Sequence, residues 1–113
     1  MKLLTPEIQR QLETNWKQNA HGGKEIDFEP VVKIFNPTGT GTWLFTELNP
    51  NDGDTLFGLC DLGYPEIGYA SLEELESYSG IWGLGLERDL SFKAEKTLSQ
   101  YADEAHSAGR IVA

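Results

Sequence analysis

The residue types most able to do chemistry concentrate in one triplet, Glu87-Arg88-Asp89. In an extended strand alternate residues share a face, so Glu87 and Asp89 would lie on one side and Arg88 on the other. Arg88 then falls among apolar neighbours, where an unpaired charge is costly. We favour a partly buried ion pair, with Glu47 as the candidate carboxylate. An anion or substrate contact by Arg88, and a contact of the triplet with a partner protein, remain open alternatives.

A long segment of the chain carries negative charge only. Between Lys33 and Arg88 there is no Lys or Arg, and the whole chain has a net charge of −9. Such a segment favours a basic protein partner and opposes DNA or RNA binding, because phosphate contacts need clustered cations. The alternative is a solvated surface without a role. Nine carboxylates fall in the interval: Glu47, Asp52, Asp54, Asp61, Glu66, Glu73, Glu74, Glu76 and Glu87.

Three functions are compatible with these charges. The favoured one is a non-enzymatic interaction protein that binds a basic partner, with Glu73, Glu74 and Glu76 among the contacts. The second is an acidic inhibitor of a nucleic-acid enzyme, using carboxylates in place of phosphates. The third is a small enzyme with Glu47 and Glu87 as an acid–base pair. A deep pocket holding two close carboxylates, one of them with a raised pKa, would favour the third.

Trp82 lies in a glycine-flanked apolar loop with Ile81 and Leu84. Packing of the indole under a sheet edge is the favoured interpretation. The alternative is an exposed aromatic anchor for a partner, since Trp is enriched among the residues that dominate binding energy.

The sequence predicts no metal site, no cofactor and no catalytic residue. The segment 49–54 combines Asn, Asp and Gly, but it lacks the spacing of a calcium loop and predicts a hairpin turn. His21 and His106 lie far apart near helix ends, without the Cys and His spacing of a zinc site. Cys60, the single cysteine, lies in an apolar run and predicts a small buried side chain.

The compartment and the oligomeric state follow from composition. One cysteine cannot form an intramolecular disulfide, which favours a reducing environment. No apolar run is long enough to span a membrane, and the amino-terminal residues turn polar too soon for a signal peptide. We therefore expect a cytoplasmic protein without membrane contact. The charge of −9 and the lack of heptads predict a monomer or weak dimer.

The elements that must position these residues form one α+β domain, residues 1–113. Short strands separated by tight turns require antiparallel neighbours, and we expect the helices to cover one face of the sheet. The predicted strands are Val31–Phe35, Thr42–Leu48, Thr55–Leu62, Ile67–Tyr69 and Leu86–Lys93, with the third in the sheet interior. The predicted helices are Pro6–Ala20, Leu72–Tyr78 and Leu98–Ser107, the last two opening with capping boxes at Ser71 and Thr97.

Hydrophobic periodicity then gives a predicted core. Residues four apart on the first helix share a face, and alternate residues do so on the strands. The fifth strand is expected to bury Leu86, Leu90 and Phe92 on the same face as Arg88. The predicted core is Ile8, Leu12, Trp16, Val32, Ile34, Leu44, Phe57, Leu59, Leu72, Leu75, Leu90, Phe92, Leu98 and Tyr101.

Several stretches together resemble a family catalogued as domain of unknown function 2958. The resemblance runs from Met1 to about Phe92. Its most specific pieces are Ser71–Leu75 and Gly85–Leu90. It implies an accessory role on a mobile genetic element, and it supplies no catalytic residue to carry over. The stretches are MKLLTPEI, VVKIFNPTGTGTWLFTE, GYASLEELE and GLGLERDLSF.

Overall fold

The computed structural model describes residues 2–19 and 25–113. The strands are β1 (Val32–Phe35), β2 (Thr42–Leu48), β3 (Thr55–Asp61), β4 (Pro65–Ser71) and β5 (Glu87–Arg88). The helices are α1 (Pro6–Asn19), α2 (Leu72–Ser77) and α3 (Leu98–Ala108), and a 3₁₀ turn spans Ile81–Gly83. The α+β prediction is confirmed. The predicted end of the first helix at Ala20, and His21, lie outside the described residues.

The five strands form one antiparallel sheet in the order β4-β3-β2-β1-β5. The first four strands follow one another as a meander, since turns of a few residues join antiparallel neighbours. β3 has a neighbour on each side, so its predicted place in the sheet interior is confirmed. The chain then passes through α2 before β5 pairs with β1, which makes β4 and β5 the two edges.

Helices cover both faces of the sheet, and the expectation of a single covered face is wrong. Leu12 of α1 packs in one apolar cluster with Phe45, and α2 packs against the same cluster. Tyr101 of α3 packs with Leu44 and Leu59 in a second cluster. The apolar residues of β2 alternate between the two clusters, so the central strand is buried on both sides.

Side chains cap all three helix starts, but the capping box predicted at Ser71 is only half formed, because the Glu74 side chain has no hydrogen-bond partner among the described residues. Thr5 Oγ1 accepts from the Ile8 N–H group at the start of α1. Ser71 Oγ accepts from the Glu74 N–H group at 3.2 Å in α2. In α3, the Thr97 N–H group donates to the Gln100 side chain at 2.9 Å. Each contact satisfies a backbone donor that the helix itself leaves without a partner.

A β-bulge interrupts β2 at Thr46. Phe45 pairs with Gly58 and Glu47 with Phe57, so Thr46 is the extra residue. The Thr46 carbonyl accepts from Asn15 Nδ2 of α1 at 2.9 Å, a buried contact. The bulge reverses the alternation of β2, and Leu48 joins the cluster of Phe45 instead of the face predicted for it.

The two edge strands differ most from their predicted lengths. β4 has seven residues where three were predicted. β5 has only two where eight were predicted. The chain turns after Asp89, whose carboxylate accepts from the Ser91 N–H group, and Leu90 is left 83% exposed. Leu90 is therefore wrong as a predicted core residue.

Candidate functional site

Arg88 does not form the predicted ion pair. Its Nη1 donates to the backbone carbonyl oxygen of Leu3 at 2.6 Å. Within the described part of the chain no carboxylate lies within 4.0 Å of the guanidinium, and the pairing with Glu47 is wrong. Leu3 is held from the other side, because Glu76 Oε2 accepts from its N–H group at 2.8 Å. Arg88 of β5 and Glu76 of α2 thus hold the amino-terminal segment from two sides.

The two other charges of the triplet lie apart from Arg88. Asp89 lies 3.4 Å from Lys33 Nζ in a partly exposed ion pair. Glu87 is exposed on β5, where it pairs with Phe35. The three side chains therefore have different surroundings and do not form one binding site.

Glu47 and Glu87 are not an acid–base pair. Glu87 lies level with Phe35, which pairs with Thr42 at the opposite end of β2 from Glu47. At about 3.3 Å per residue, roughly 15 Å along the strand separates the two positions, before the spacing between strands is added. The predicted pairing of these two carboxylates is therefore wrong.

Glu47 instead lines a small cleft between α1 and the sheet. The cleft has a volume of about 200 Å³, and Glu25 also lines it. Asn19 Nδ2 donates to Glu47 Oε2 at 3.1 Å. Burial raises the pKa of Glu47, and the charge of Glu25 adds to the rise, while hydrogen bonds from Asn19 and Thr46 oppose it. Ile26 and three aromatic side chains complete the described lining: Trp16, Phe57 and Tyr69.

Most carboxylates of the negative segment serve the fold. Five of the nine accept hydrogen bonds from the chain itself: Glu47, Asp52, Asp54, Asp61 and Glu76. Among the described residues, the other four have side chains without a hydrogen-bond partner: Glu66, Glu73, Glu74 and Glu87. Glu66 and Glu87 lie on β4 and β5, the opposite edges of the sheet. They therefore do not form one row of phosphate-like charges.

The β2–β3 turn and α2 do lie together. Asp54 Oδ1 accepts from the Glu73 N–H group at 2.8 Å, so the turn caps the helix. Asp52, Asp54, Glu73 and Glu76 line one shallow depression. Glu73 and Glu74 face solvent, which makes them the carboxylates of this region that are free to meet a partner.

The loop of residues 80–85, the Trp82 loop, presents its aromatic ring to solvent. Trp82 is 89% exposed, so the expectation that it packs under the sheet edge is wrong. Its φ of 59° places it in the left-handed region, which is unusual for a bulky residue. Ile81 and Leu84 on either side are exposed as well.

Hydrogen bonds hold the Trp82 loop in this conformation. The Gly80 N–H group donates to the Leu84 carbonyl at 2.8 Å, and the Gly83 N–H group donates to the Gly80 carbonyl at 3.0 Å. Asn36 Nδ2 of the β1–β2 turn donates to the Tyr78 hydroxyl at 3.2 Å, just before the loop. The loop therefore presents its apolar side chains from a closed turn.

The remaining candidate groups have ordinary surroundings. His106 lies in the last turn of α3, as predicted, with Nε2 2.9 Å from the Pro65 carbonyl oxygen. Burial, with the charge of Glu66, raises the pKa of the Cys60 thiol to about 11, which makes it a poor nucleophile at neutral pH. Residues 49–54 form the predicted hairpin turn. Throughout residues 2–19 and 25–113, no three His, Cys, Asp or Glu side chains converge on a metal position.

Sequence reasoning missed the residues that hold these sites in place. Asn15 and Asn19 lie four residues apart on α1, and a pair of amides at helical spacing is a signal for polar contacts along one face. Asp54 lies in the β2–β3 turn, and nothing in the sequence indicates that it caps α2, which begins 18 residues later. Leu3 precedes the first predicted helix, where no periodicity marks it as core.

The protein is an α+β domain with an exposed aromatic loop and a small cleft lined by carboxylates. The chain belongs to the family described as "Protein of unknown function (DUF2958)", whose model matches residues 3–112. The resemblance found in the sequence is thereby confirmed. No curated protein and no solved structure matches the chain. No helix among the described residues has the length and apolar character needed to cross a bilayer.

Proposed function

We propose that this protein is a non-enzymatic interaction protein that binds a basic protein partner through the Trp82 loop. The observation that carries the proposal is the 89% exposure of Trp82 in a left-handed backbone conformation. Strained conformations persist where the surrounding structure enforces them, and they cluster at functional positions. A closed turn that already fixes the backbone of its aromatic residue leaves less conformational entropy to be lost on binding.

The neighbouring charges support a basic partner. Three residues separate α2, with its exposed Glu73 and Glu74, from the 3₁₀ turn, and Glu87 follows the loop on β5. Carboxylates on the elements that flank an apolar anchor speed the encounter with a basic surface and lose that effect as salt rises. The same charges oppose direct binding to nucleic acid. A role as an accessory of a mobile genetic element and a location in the cytoplasm belong to this proposal.

Trp82→Gly is expected to abolish partner binding without loss of stability. Glycine accepts a positive φ at no steric cost, so this change removes the indole and relieves the backbone strain together. Binding would be measured by pull-down from host lysate, and stability by thermal melting. Leu62→Ala is the matched control, because Leu62 is an exposed apolar residue at a different turn. Equal capture by wild type and Trp82→Gly would contradict the proposal.

The charge component has its own variant. Glu73→Lys combined with Glu74→Lys leaves Glu76 in place, so the contact that holds Leu3 is kept. This double variant is expected to weaken the same complex, and added salt is expected to weaken the wild-type complex. Binding that is independent of both changes would restrict the interface to the apolar loop and remove the basic partner from the proposal.

A second candidate is a small enzyme that uses Glu47 as a proton donor. The observation in its favour is a buried carboxyl group with a raised pKa in a cleft shared with Glu25. The cleft volume of about 200 Å³ is below the roughly 300 Å³ at which typical ligand pockets begin. The enzyme therefore ranks second.

Glu47 is expected to titrate above the ordinary Glu value of about 4.3. The measurement is a carbon-13 NMR titration of its side-chain carboxyl group, with Glu47→Gln to assign the signal. A raised pKa means that the folded state holds the proton more tightly than the unfolded state. The cost of ionising Glu47 is therefore fully present above the folded pKa and disappears as pH falls through that value toward the unfolded pKa. A titration at or below the ordinary value would remove the second candidate.

A further inference from the structure

β4 is an open edge of the sheet, because the strand order ends with it. Proteins usually shorten, charge or cover such edges to stop other strands from pairing with them. β4 has seven residues and a single charged one, Glu66. Ile67 and Tyr69 on this strand are both exposed. Beyond Pro65 and Glu66 at its start, the strand carries none of the residues that keep another strand away.

The directions of the backbone groups along β3 follow from one contact. The Asn49 N–H group donates to the Thr55 carbonyl at 2.8 Å, so the backbone groups of Thr55 face β2. Neighbouring residues in a strand point their N–H and C=O groups in opposite directions, so those of Leu56 face β4. Leu56 pairs with Ala70, and the backbone groups of Ala70 therefore face β3.

The same alternation fixes which groups of β4 are free. Gly68, two residues before Ala70, also faces β3, whereas Ile67 and Tyr69 direct their N–H and C=O groups away from the sheet. The contact of the Pro65 carbonyl with His106 agrees with this assignment, since it places an outside donor on the outward side of an odd-numbered residue. An added strand would therefore bind at Ile67 and Tyr69.

Gly68 has no role within its own chain that requires glycine. A Cβ atom built at this position meets nothing within 4 Å, and its φ lies outside the left-handed region. Gly58 on the neighbouring strand differs, because a Cβ atom there would lie 2.0 Å from the Leu44 carbonyl oxygen. Glycine inside a strand weakens it and often marks the close approach of another backbone. At Gly68 none of the described residues supplies such a backbone.

We propose that a second copy of this chain pairs with β4 as an antiparallel strand, with the two-fold axis at Gly68. This register places Ile67 opposite Tyr69 of the other copy. By symmetry, Tyr69 lies opposite Ile67 of that copy. Both residues point their backbone groups outward, so each such pair exchanges two hydrogen bonds. Gly68 faces Gly68 at the position without hydrogen bonds, where strands approach most closely. The sequence around the axis is thus complementary to itself.

The charges of the strand are compatible with this register. Glu66 lies opposite Ala70 of the other copy. The two Glu66 positions are four residues apart along the strands, about 13 Å at roughly 3.3 Å per residue. That separation exceeds the screening length of about 8 Å at physiological salt. The ladder is short, because the Pro65 carbonyl already accepts from His106. The dimer is therefore weak, and its formation depends on concentration.

Disulfide cross-linking tests the register directly in a Cys60→Ser background. In that background, Gly68→Cys is expected to form a covalent dimer under mild oxidation. Opposed residues at this kind of position have Cα atoms about 4.5 Å apart, within the roughly 4.4–6.8 Å that a disulfide spans. Glu66→Cys in the same background is the control, since its two thiols are too far apart. Cross-linking of Gly68→Cys no faster than that of Glu66→Cys overturns the proposal.

Sedimentation velocity of the wild type over a concentration series supplies the second arm. The average mass is expected to rise with concentration, and Ile67→Pro is expected to stop the rise by removing an outward donor. Ile67→Ala keeps that donor and is the matched control. A wild type that stays monomeric at every concentration overturns the proposal. Binding of a strand from a different protein to β4, if it is lost in Ile67→Pro, also overturns the proposal. In that case the partner of the edge would not be a second copy of this chain.

Discussion

Gly58→Ala is expected to prevent folding or to cost about 4 kcal/mol or more of unfolding free energy. Losses of this size are rare among single substitutions and have few causes, such as overpacking of the core. The added Cβ atom would lie 2.0 Å from the Leu44 carbonyl oxygen and 2.8 Å from the Phe45 Cα atom. Both are backbone atoms of the central strand, so no side-chain rotation can relieve the overlap. β2 and β3 would have to separate where the bulge begins, at the Phe45–Gly58 pair.

Urea denaturation followed by circular dichroism measures this loss. A domain with about 5–15 kcal/mol of stability would keep only part of it or none. Gly68→Ala is the matched control in the adjacent strand, because the space around its Cβ position is open. It is expected to change stability by no more than about 0.5 kcal/mol, the usual range for surface changes. Similar losses in the two variants would show that backbone overlap is not the cause.

The prediction of β2 shows what local sequence determines. Its bounds, Thr42–Leu48, were predicted as observed, because turn residues on both sides mark its ends. Its faces were predicted correctly only as far as Phe45. The bulge residue Thr46 accepts a hydrogen bond from Asn15, 31 residues earlier, and its neighbour Phe45 pairs with a glycine of β3. No pattern within β2 reveals such partners, so Leu48 and Glu47 were assigned to the wrong faces.

The fifth strand shows how a correct alternation can mislead. Residues 86–93 alternate almost strictly between apolar and polar, yet backbone contact with β1 extends no further than the Asp89 N–H group, which donates to the Lys33 carbonyl. The Asp89 carboxylate binds the Ser91 N–H group, and the Asp89 carbonyl accepts from Phe92, which together make a turn. Leu86 then packs in the cluster of α1, while Phe92 packs against that of α3. A short-range aspartate turn outweighed the strand pattern.

The candidate site was predicted less well than the fold, because it depends on contacts between distant parts of the chain. Arg88 reaches Leu3, 85 residues away, and Glu76 reaches the same residue from 73 residues away. A single sequence gives no indication of either contact. Burial of Trp82 was favoured over its exposure, and the sequence did not reveal the backbone hydrogen bonds that close the loop with its indole in solvent.

Leu59→Ala is expected to cost about 2–5 kcal/mol of unfolding free energy, whereas Leu90→Ala is expected to cost less than about 0.5 kcal/mol. Leu59 is fully buried on β3 against Leu44 and the side chains of α3. Removing its isobutyl group loses the transfer free energy of the buried atoms and leaves a cavity between sheet and helix. Leu90 is 83% exposed in the turn after β5, so its truncation leaves no cavity.

The comparison discriminates between the two accounts of the core. The alternating pattern of residues 86–93 predicted that Leu90 is buried, as Leu59 is. In the structure Leu59 is fully buried and Leu90 is exposed. Denaturation of both variants in urea gives the two midpoints, and similar slopes would show that the unfolded states expose comparable surface. If Leu90→Ala lost as much stability as Leu59→Ala, the fifth strand would have to continue past Arg88 and bury its apolar face. A small loss at Leu59 would instead mean that α3 does not pack on this side of the sheet.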